Sequence, residues 1–382
     1  MEILMLGGSG ILSTEVCNLA IKRGMKVTMM NRGNRLPLIH PKATLIIGDL
    51  RLESEENLSK KLSGYKYDVI IDFISYTEEQ LKKTLKIVQG KCKQYIFISS
   101  ATVYVNGEDG VAITEDTPIG NTKWKYSLNK SECEWYLEKN ISKLRMEYTI
   151  IRPYVTYGKT RIPYQIAPIE YYTLVNRILI DKPIPICGMG TRCTITNARD
   201  FAVGTVGLFL NEKAYNEAVH ITSNENTSWI NIILELGNKL GKEVKLIEVP
   251  MEYIKKGKNI LGFETDEIVG DKGRNMIFDN TKIKSLVHDY KGDIKFCEGI
   301  DASLNYFESD PNNKVINYIW DARVDAMLSK MKDGSNYKSK LRVSAYGESS
   351  KIKDKIKYIL NRYTLLYVSS NFCKKVICKI IR

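Results

Sequence analysis

The sequence lacks three features that would assign it to a special class of protein. No apolar run approaches the roughly 18 residues that cross a bilayer. Met1 leads directly into EILMLGGSG, without the basic and then apolar segments of a signal peptide. The 8 cysteines form no Cys-x-x-Cys pair, and there are 3 histidines to complete a metal cluster. We therefore expect a cytoplasmic protein with no disulfide and no metal site.

Acidic side chains are scarce near the C-terminus. The chain has 57 basic and 44 acidic side chains, a net charge of +13. Residues 331–382 contain 13 of the basic and 3 of the acidic ones, which leaves residues 1–330 with a net charge of +3. Because the excess charge lies in the tail alone, it does not favour a nucleic-acid-binding protein.

The sequence does contain the pattern of a folded α/β protein. Short apolar runs alternate with amphipathic stretches up to about residue 150, including a helical pattern over 13–23, and this alternation is typical of a parallel sheet covered by helices on both faces. We predict a doubly wound parallel sheet over 1–165 and 197–222, a smaller α/β domain over 166–196 and 223–310, and a basic helical C-terminal extension over 311–382.

A glycine-rich segment, EILMLGGSGILS, links the first apolar run to the first helical pattern. A tight glycine turn in this position lets the backbone approach a pyrophosphate, while the helix N-terminus presents free N–H groups. Ser13 stands where the third glycine of the usual pattern falls. The residues predicted to contact a dinucleotide here are Gly7, Gly8, Ser9, Gly10 and Ile11.

The ends of the next two apolar runs bear on which dinucleotide is bound. KVTMMNRG ends in Asn31 and Arg32, without the acidic residue that binds the ribose hydroxyls of NAD. An arginine there can accommodate a 2′-phosphate, so we favour NADP(H); the alternative is an arginine in a solvated loop. Asp49 and Leu50, in IIGDLR, are placed to border the adenine, although Asp49 also suits a turn.

Two side chains with acid–base potential, Tyr126 and Lys130 in KYSLNKSE, lie one helical turn apart and so share a face. They follow YIFISSATVY, a predicted strand end that carries Ser99, Ser100 and Thr102. Open α/β sheets bind their ligands at such strand ends. A cation about 4 Å from a phenol contributes roughly 4 kcal/mol at an effective dielectric near 20, or about three pKa units. Lys130 could therefore make Tyr126 a usable base.

These motifs, in this order, resemble the extended short-chain dehydrogenase/reductase family, in particular its NAD(P)-dependent epimerase/dehydratase branch that acts on nucleotide sugars. The resemblance covers residues 1 to about 308, and it implies that the doubly wound sheet is a Rossmann-type dinucleotide-binding domain and that the smaller α/β domain is a substrate domain. It depends on GGSGILS, GDL, SSATVY, YSLNK, IRPYVTYG, the Asp200 of NARDFAVG, FDNTKIKSL and GIDASLNYF.

The resemblance implies roles for individual residues. Tyr126 would be the acid/base, Lys130 would hold the nicotinamide ribose and lower the pKa of Tyr126, and Ser100 would bond to the reacting oxygen. Thr102 would lie beside the sugar and Tyr154 beside the cofactor.

The likeness also bears on the reaction and the substrate. The family's 4,6-dehydratases carry Thr-Asp-Glu where this chain carries Ser100, Ala101 and Thr102, so the missing carboxylates argue against dehydration and favour an epimerase or a reductase. The segment RPYVTYG lacks the asparagine that often binds the diphosphate of a nucleotide sugar. Arg192 and Arg274 are the candidates for that contact.

Three questions stay open at this point. Plastid relatives with similar NRG and RPY segments bind RNA, and a cofactor-sensing regulator could keep the fold without turnover. A homodimer, common in the family, is a further expectation. The basic tail predicts an amphipathic helix that either lies on an anionic surface at the inner face of the membrane or docks on the protein itself. Its apolar stripe comprises Ile352, Ile356, Ile359, Tyr363 and Leu366.

Overall fold

The computed structural model divides the chain into two compact units. It describes residues 1–34, 39–105, 110–140, 143, 145–255, 265–329 and 352–362. The first unit contains Met1–Pro163, Arg192–Thr227 and Asn275–Ser303, and the second contains Tyr164–Thr191, Ser228–Arg274 and the described residues from Leu304 onward. These boundaries differ from the predicted ones. Residues 275–303 belong to the first unit and not to a substrate domain, and the described C-terminal helices belong to the second unit.

The short apolar runs before about residue 150 form strands. The described strands are β1 (Glu2–Leu6), β2 (Lys26–Asn31), β3 (Thr44–Ile47), β4 (Tyr67–Asp72), β5 (Cys92–Ile98), β6 (Glu147–Pro153), β7 (Thr156–Tyr157), β8 (Ile184–Ile186), β9 (Arg192–Thr194), β10 (Thr196–Asn197), β11 (Glu217–Ile221), β12 (Asn226–Ser228) and β13 (Leu246–Glu248). Seven of them form one parallel sheet in the order β11-β6-β5-β4-β1-β2-β3. The strand order reverses between β1 and β4, the place where sheets of this kind bind ligands.

The described helices are capped by polar side chains at several N-termini. They are α1 (Ile11–Lys22), α2 (Glu55–Lys61), α3 (Glu78–Val88), α4 (Lys125–Asn140), α5 (Tyr172–Leu179), α6 (Ala198–Gly207), α7 (Trp229–Lys239), α8 (Thr281–Leu286), α9 (Phe296–Gly299), α10 (Asp301–Ser309), α11 (Tyr318–Leu328) and α12 (Ile352–Arg362). Thr77, for example, accepts a hydrogen bond from the backbone of Gln80 before α3, and Ser228 accepts one from Asn231 before α7. Such caps satisfy N–H groups that have no partner within the helix.

The sheet is covered on both faces, which confirms the predicted doubly wound α/β fold. Alternate residues of a strand point to opposite faces. Ile3 and Met5 of β1 pack in one buried cluster, with α1 and α6, whereas Leu4 and Leu6 pack in another, with α2, α3 and α4. Because both faces are buried, the strands are nearly continuous apolar runs.

The second unit is held together partly by buried ions. Its strands β8 and β13 pair in parallel. The fully buried Arg177 of α5 donates to the carboxylates of Asp321 and Asp325 on α11, and Lys182 donates to the same two carboxylates at 2.6 and 2.8 Å. Two cations therefore balance two anions in the interior, as buried charges require.

The structure describes the state of six cysteines and the length of the helices. The six cysteines of the described residues, at 17, 92, 133, 187, 193 and 297, are free thiols, and Cys373 and Cys378 lie outside those residues. In the part of the chain that the structure describes, no helix combines the length and apolar character needed to cross a bilayer.

Candidate active site

The glycine turn between β1 and α1 has no room for side chains. Gly7 and Gly8 have φ angles of +104° and +109°, and the Gly7 N–H donates to the carbonyl of Met30 at 2.9 Å. A Cβ on Gly7 would lie 2.8 Å from Cγ2 of Ile74, and one on Gly8 would lie 2.9 Å from Sδ of Met29. Both glycines are therefore required by backbone angle and by space.

The N-cap residue of α1 contributes no side chain to the start of the helix. This residue is Gly10, which has no side chain to accept from the first helical N–H groups. The Ser13 hydroxyl instead accepts from the Gly10 N–H at 2.9 Å and donates to the Gly10 carbonyl at 3.1 Å. Ser13 thus tightens the turn at the position where the dinucleotide-binding pattern has its third glycine. A pocket of about 220 Å³ opens beside this helix end and is lined by Ser9, Gly10 and Ile11, among others. The N–H groups of a helix N-terminus are suited to bind an anion.

The side chain of Asn31 stabilises the glycine turn through two hydrogen bonds. Its Nδ2 donates to the Gly7 carbonyl at 3.1 Å, and its Oδ1 accepts from the Gly33 N–H at 2.8 Å. The Asn31 side chain is therefore bonded within the protein, while Arg32, the residue after β2, is exposed. Of Asn31 and Arg32, the two residues predicted to contact the ribose, Arg32 carries a charge.

Asp49 has the turn role that the sequence left open. Its Oδ1 accepts from the N–H groups of Arg51 at 2.9 Å and Leu52 at 3.2 Å, and its own N–H donates to Glu53. Leu50 is buried. Contact of Asp49 and Leu50 with an adenine stays a prediction.

Lys130 is buried beneath the carboxyl ends of β4 and β5. Its Nζ donates to the carbonyls of Ser75 and Ile98, each at 2.7 Å. The same ammonium lies 4.8 Å from the ring centroid of Tyr76 and 4.7 Å from that of Phe97. Burial lowers the pKa of Lys130 to about 8. An ammonium has three N–H donors, and the two carbonyls account for two of them.

Tyr126 lies in the first turn of α4, with its ring among aromatic side chains. Its ring centroid is 4.7 Å from that of Trp124 and 6.1 Å from that of Tyr76. The Tyr76 ring therefore contacts both Tyr126 and the ammonium of Lys130. Sequence reasoning missed Tyr76, although its position just after an apolar strand is the same signal that identified Ser100.

Ser100 is the second residue after β5, at the strand end where the sequence predicted it. Its Oγ accepts from Oγ1 of Thr102 at 3.0 Å, so the two hydroxyls form one polar pair at the strand end. Both residues are buried. Ala101 between them is apolar, and residues 100–102 contain no carboxylate.

A second set of residues, which sequence reasoning also missed, holds this strand end in place through hydrogen bonds from α4 and β6. Glu134, one turn beyond Lys130 on α4, accepts from Arg152 of β6 and from the hydroxyl of Ser99. Arg152 donates in addition to the Tyr104 hydroxyl at 3.0 Å. The i, i+4 spacing of Lys130 and Glu134 and an arginine inside the apolar run IIRP were signals that could have found this pair.

The Tyr104 hydroxyl continues this chain of hydrogen bonds to His220 of β11. It lies 3.0 Å from Nδ1 of His220, while Nε2 faces the carbonyl of Asp279, which can only accept. Burial lowers the pKa of His220, which favours the neutral ring. Nε2 of the neutral ring then carries the proton, and Tyr104 donates to Nδ1.

The turn that presents the Ser75 carbonyl is fixed by Asp72. Oδ1 of Asp72 accepts from the N–H groups of Ile74 at 2.8 Å and Ser75 at 3.0 Å. Oδ2 accepts from the Tyr95 hydroxyl at 2.7 Å. This buried carboxylate therefore positions an acceptor of Lys130 and supplies negative charge near it.

The remaining predicted residues lie in separate environments. Arg192 is exposed at the start of β9 in the first unit, and its backbone N–H donates to Asn275. Arg274, in the second unit, donates its guanidinium to the Gly270 carbonyl. Tyr154 is buried, with its ring centroid 4.8 Å from that of Phe278. Contacts of these side chains with substrate or cofactor stay predictions.

Comparison with known proteins identifies the family. Residues 3–205 match the model of the NAD dependent epimerase/dehydratase family. The match covers more than half of the chain, which therefore belongs to this family, as its motifs predicted.

Two relatives of similar sequence have names that describe different activities. A chloroplast stem-loop binding protein of 41 kDa from Arabidopsis thaliana is 25% identical over 238 residues, which cover 58% of this chain and 58% of the plant protein. A UDP-glucose 4-epimerase from Klebsiella pneumoniae is 28% identical over 130 residues, which cover 27% of this chain and 92% of that protein. The chain thus spans less than two thirds of the plant relative's length.

A solved structure shares the fold over most of the chain. The UDP-glucuronic acid 4-epimerase of Bacillus cereus, in complex with NAD, superimposes with a TM-score of 0.64 at 20% identity. The superposition covers 81% of this chain and 99% of the epimerase. This likeness supports the same overall architecture.

Proposed function

We propose that this protein is an NAD(P)-dependent nucleotide-sugar epimerase or reductase in which Ser100, Tyr126 and Lys130 perform the chemistry. The main support is the position of Lys130, a buried ammonium held by the carbonyls of Ser75 and Ile98 on the helix that carries Tyr126. Burial shifts the pKa of this ammonium well below its ordinary value, and groups with such shifts are found preferentially at functional sites.

The turn after β1 fits the pyrophosphate of a dinucleotide. The glycines at 7 and 8 leave no side chain between backbone and ligand, and the N–H groups at the start of α1 would hold the phosphates. When bound, NAD(P) supplies the acceptor and donor of hydride. Lys130, with a third N–H donor, would hold the nicotinamide ribose.

The protein's own residues would move the proton. Tyr126, as phenolate favoured by the charge of Lys130, would take the proton from a sugar hydroxyl while a hydride leaves the carbon that bears it, so that a ketone forms. Ser100 would donate a hydrogen bond to that oxygen. Return of hydride to the other face, with the proton given back by Tyr126, yields the epimer; hydride delivered to a keto sugar yields reduction.

The residues at the end of β5 support these reactions over dehydration. Elimination of water needs a general acid and a general base near the sugar, and the family's 4,6-dehydratases carry a pair of carboxyl groups in this place. Residues 100–102 offer two hydroxyls and a methyl group, and the Thr102 hydroxyl is bonded to Ser100.

The cofactor preference in this proposal is NADP(H). Asn31 is bonded to the glycine turn on both sides of its amide, and the neighbouring Arg32 provides the positive charge that a 2′-phosphate requires. A homodimer is part of the same proposal. A molecular mass of twice that of the monomer, measured by light scattering, would support the homodimer.

The experiment is a cofactor titration followed by a substrate panel. Purified protein is titrated with NADH and NADPH by fluorescence, and UDP-, GDP- and dTDP-sugars are then assayed for conversion and for cofactor consumption. Epimerisation leaves the cofactor unchanged overall, whereas reduction consumes one cofactor per product. Tight dinucleotide binding with no conversion across the panel would favour a cofactor-sensing regulator instead.

A second candidate function, RNA binding, is favoured by one observation, the similarity to the plant stem-loop binding protein. A gel-shift assay with a stem-loop RNA tests it in the same preparation. RNA binding without dinucleotide binding would replace the enzyme proposal.

A further inference from the structure

The carboxylate of Asp72, the last residue of β4, is fully buried and is bonded to neutral donors. Its Oδ1 accepts from the N–H groups of Ile74 and Ser75, and its Oδ2 accepts from the hydroxyl of Tyr95. Three donors around the two oxygens favour the ionised form of the carboxyl group. Among the described residues, no lysine, arginine or histidine forms an ion pair with Asp72. A buried charge of this kind requires an opposite charge in its surroundings.

Lys130 provides that opposite charge, and two features connect it to Asp72. The turn that Asp72 fixes presents the carbonyl of Ser75, which accepts from Nζ of Lys130 at 2.7 Å. Burial has the largest influence on the pKa of Lys130 and lowers it, whereas the negative charge of Asp72 is the largest influence that raises it. The rings of Tyr76 and Phe97, which carry no net charge, cover other sides of the ammonium.

The other titratable groups that act on Lys130 lie on its own helix, α4. They are the Cys133 thiol and the Glu134 carboxylate. Burial raises the pKa of Cys133 to about 12, so this thiol is neutral at ordinary pH. The charge of Glu134 is balanced by Arg152, whose Nη2 lies 2.6 Å from Oε2 of Glu134. Of the negative charges that act on Lys130, that of Asp72 therefore lacks an ion-pair partner of its own among the described residues.

We propose that Asp72 is a positioning residue of the active site, which keeps Lys130 in the charged form. This inference rests on the proposed function, because there the ammonium favours the phenolate of Tyr126 and holds the nicotinamide ribose. A neutral amine would not favour the phenolate. Asp72 thereby sets the upper end of the pH range in which the site is active.

The pKa of Lys130, measured by NMR, tests this proposal without any turnover. Protein labelled with ¹³C at Cε of its lysines is titrated from about pH 6 to 10, and the Lys130 signal is the one that Lys130→Met lacks. Asp72→Asn keeps Oδ1 as the acceptor for the two backbone N–H groups but removes the charge. We expect Lys130 to titrate at least about one pH unit lower in Asp72→Asn than in the wild type.

Two control variants separate the charge of Asp72 from its packing. Tyr95→Phe removes the hydroxyl bonded to Oδ2 but leaves the carboxylate charged, so the protein should lose stability while Lys130 titrates within about half a unit of the wild type. Asp68→Asn removes a carboxylate paired with Lys93 on the same strand, roughly 13 Å from Asp72. Its effect on the Lys130 signal should be smaller still, because solvent screens an exposed pair. Thermal melting checks that each variant is folded.

A double variant gives a second test that does not depend on a well-folded Asp72→Asn. Asp72→Asn combined with Lys130→Met removes both charges together, whereas each single variant leaves one of them buried alone. We therefore expect the double variant to lose less stability toward urea, at about pH 7, than the two single losses added together. Purely additive losses would overturn the proposal.

The NMR and activity results distinguish this proposal from the proposed function. With an identified substrate, the alkaline limb of the kcat profile should move to lower pH in Asp72→Asn by the same interval as the Lys130 signal. An unchanged Lys130 signal in folded Asp72→Asn, or an equal shift in Tyr95→Phe, would overturn the role of Asp72. A shifted signal in a protein that converts no nucleotide sugar would support the effect of Asp72 on Lys130 and reject the enzymatic function alone.

Discussion

Arg152 and Glu134 form a buried two-point ion pair behind the end of β5. Nη2 of Arg152 lies 2.6 Å from Oε2 of Glu134, and Nε lies 3.2 Å from Oε1. Ser99, which donates to the same carboxylate, directly precedes Ser100. The pair thus joins α4, which carries Tyr126 and Lys130, to the strand end that carries the third proposed catalytic residue.

Removing one partner of this ion pair should destabilise the folded protein. Arg152→Ala leaves a buried carboxylate without its cation, and we expect the free energy of unfolding to fall by about 3–5 kcal/mol. Urea denaturation measures the change. As a control, Lys60→Ala breaks the exposed pair between Lys60 and Glu56 and should cost less than about 1 kcal/mol. Equal costs for the two variants would contradict a specific role for the buried pair.

The glycine turn should tolerate no side chain at Gly7. Gly7→Ala places a Cβ 2.8 Å from Ile74 at a φ of +104°, so the turn must shift. We expect dinucleotide affinity to fall at least about tenfold, the result of roughly 1–2 kcal/mol of backbone strain in the binding conformation. Gly190→Ala, where a Cβ would meet nothing within 4 Å, should bind as the wild type does. Fluorescence titration compares them, and retained affinity in Gly7→Ala would remove the turn from the site.

Lys130 should make stability depend on pH in the alkaline range. Burial lowers its pKa from 10.5 to about 8, so between these values the unfolded chain binds a proton that the folded chain does not. The free energy of unfolding therefore decreases as pH falls from about 10.5 to 8. Below pH 8 the contribution of Lys130 no longer changes with pH. Lys130→Met removes this dependence, so the variant should gain relative to the wild type as pH falls through the window. The exposed Lys213→Met is the control, and parallel curves for all three proteins would contradict a buried Lys130.

Most of the sheet could be predicted from sequence because each strand is a local apolar run. The predicted helix over 13–23 is α1 within two residues at either end. Tyr126 and Lys130 were also identified locally, from helical spacing after a strand end. Their neighbours were not, because Glu134 and Arg152 meet only through the packing of α4 on β6.

The buried ions of the second unit show the same limit more strongly. Arg177 and Asp325 are 148 residues apart in sequence, and no periodicity connects them. The docking of α12 likewise includes long-range polar contacts, from Tyr358 to Asp325 and from Arg362 to Ser329. Long-range polar contacts of this kind depend on tertiary packing that a one-dimensional pattern does not contain.

Tyr358 should contribute to the stability of the second unit. Tyr358→Phe keeps the ring beside Lys182 but removes the hydrogen bond to the buried Asp325 carboxylate. A hydrogen bond to a charged group contributes about 1.5–3 kcal/mol, and we expect a loss of that size in urea denaturation. The exposed Tyr65→Phe should change stability by less than about 0.5 kcal/mol. A Tyr358→Phe variant as stable as the wild type would mean that α12 is not anchored by this contact.

The activity of Tyr126→Phe tests the proposed chemistry most directly. With a nucleotide sugar that the panel identifies as a substrate, the variant should keep dinucleotide affinity within about twofold but lose about 10²- to 10⁴-fold in kcat, because only the proton-transferring hydroxyl is removed. Tyr65→Phe, which removes an exposed phenol elsewhere, should retain wild-type kcat. Wild-type turnover by folded Tyr126→Phe would contradict the assignment of this hydroxyl as the acid/base.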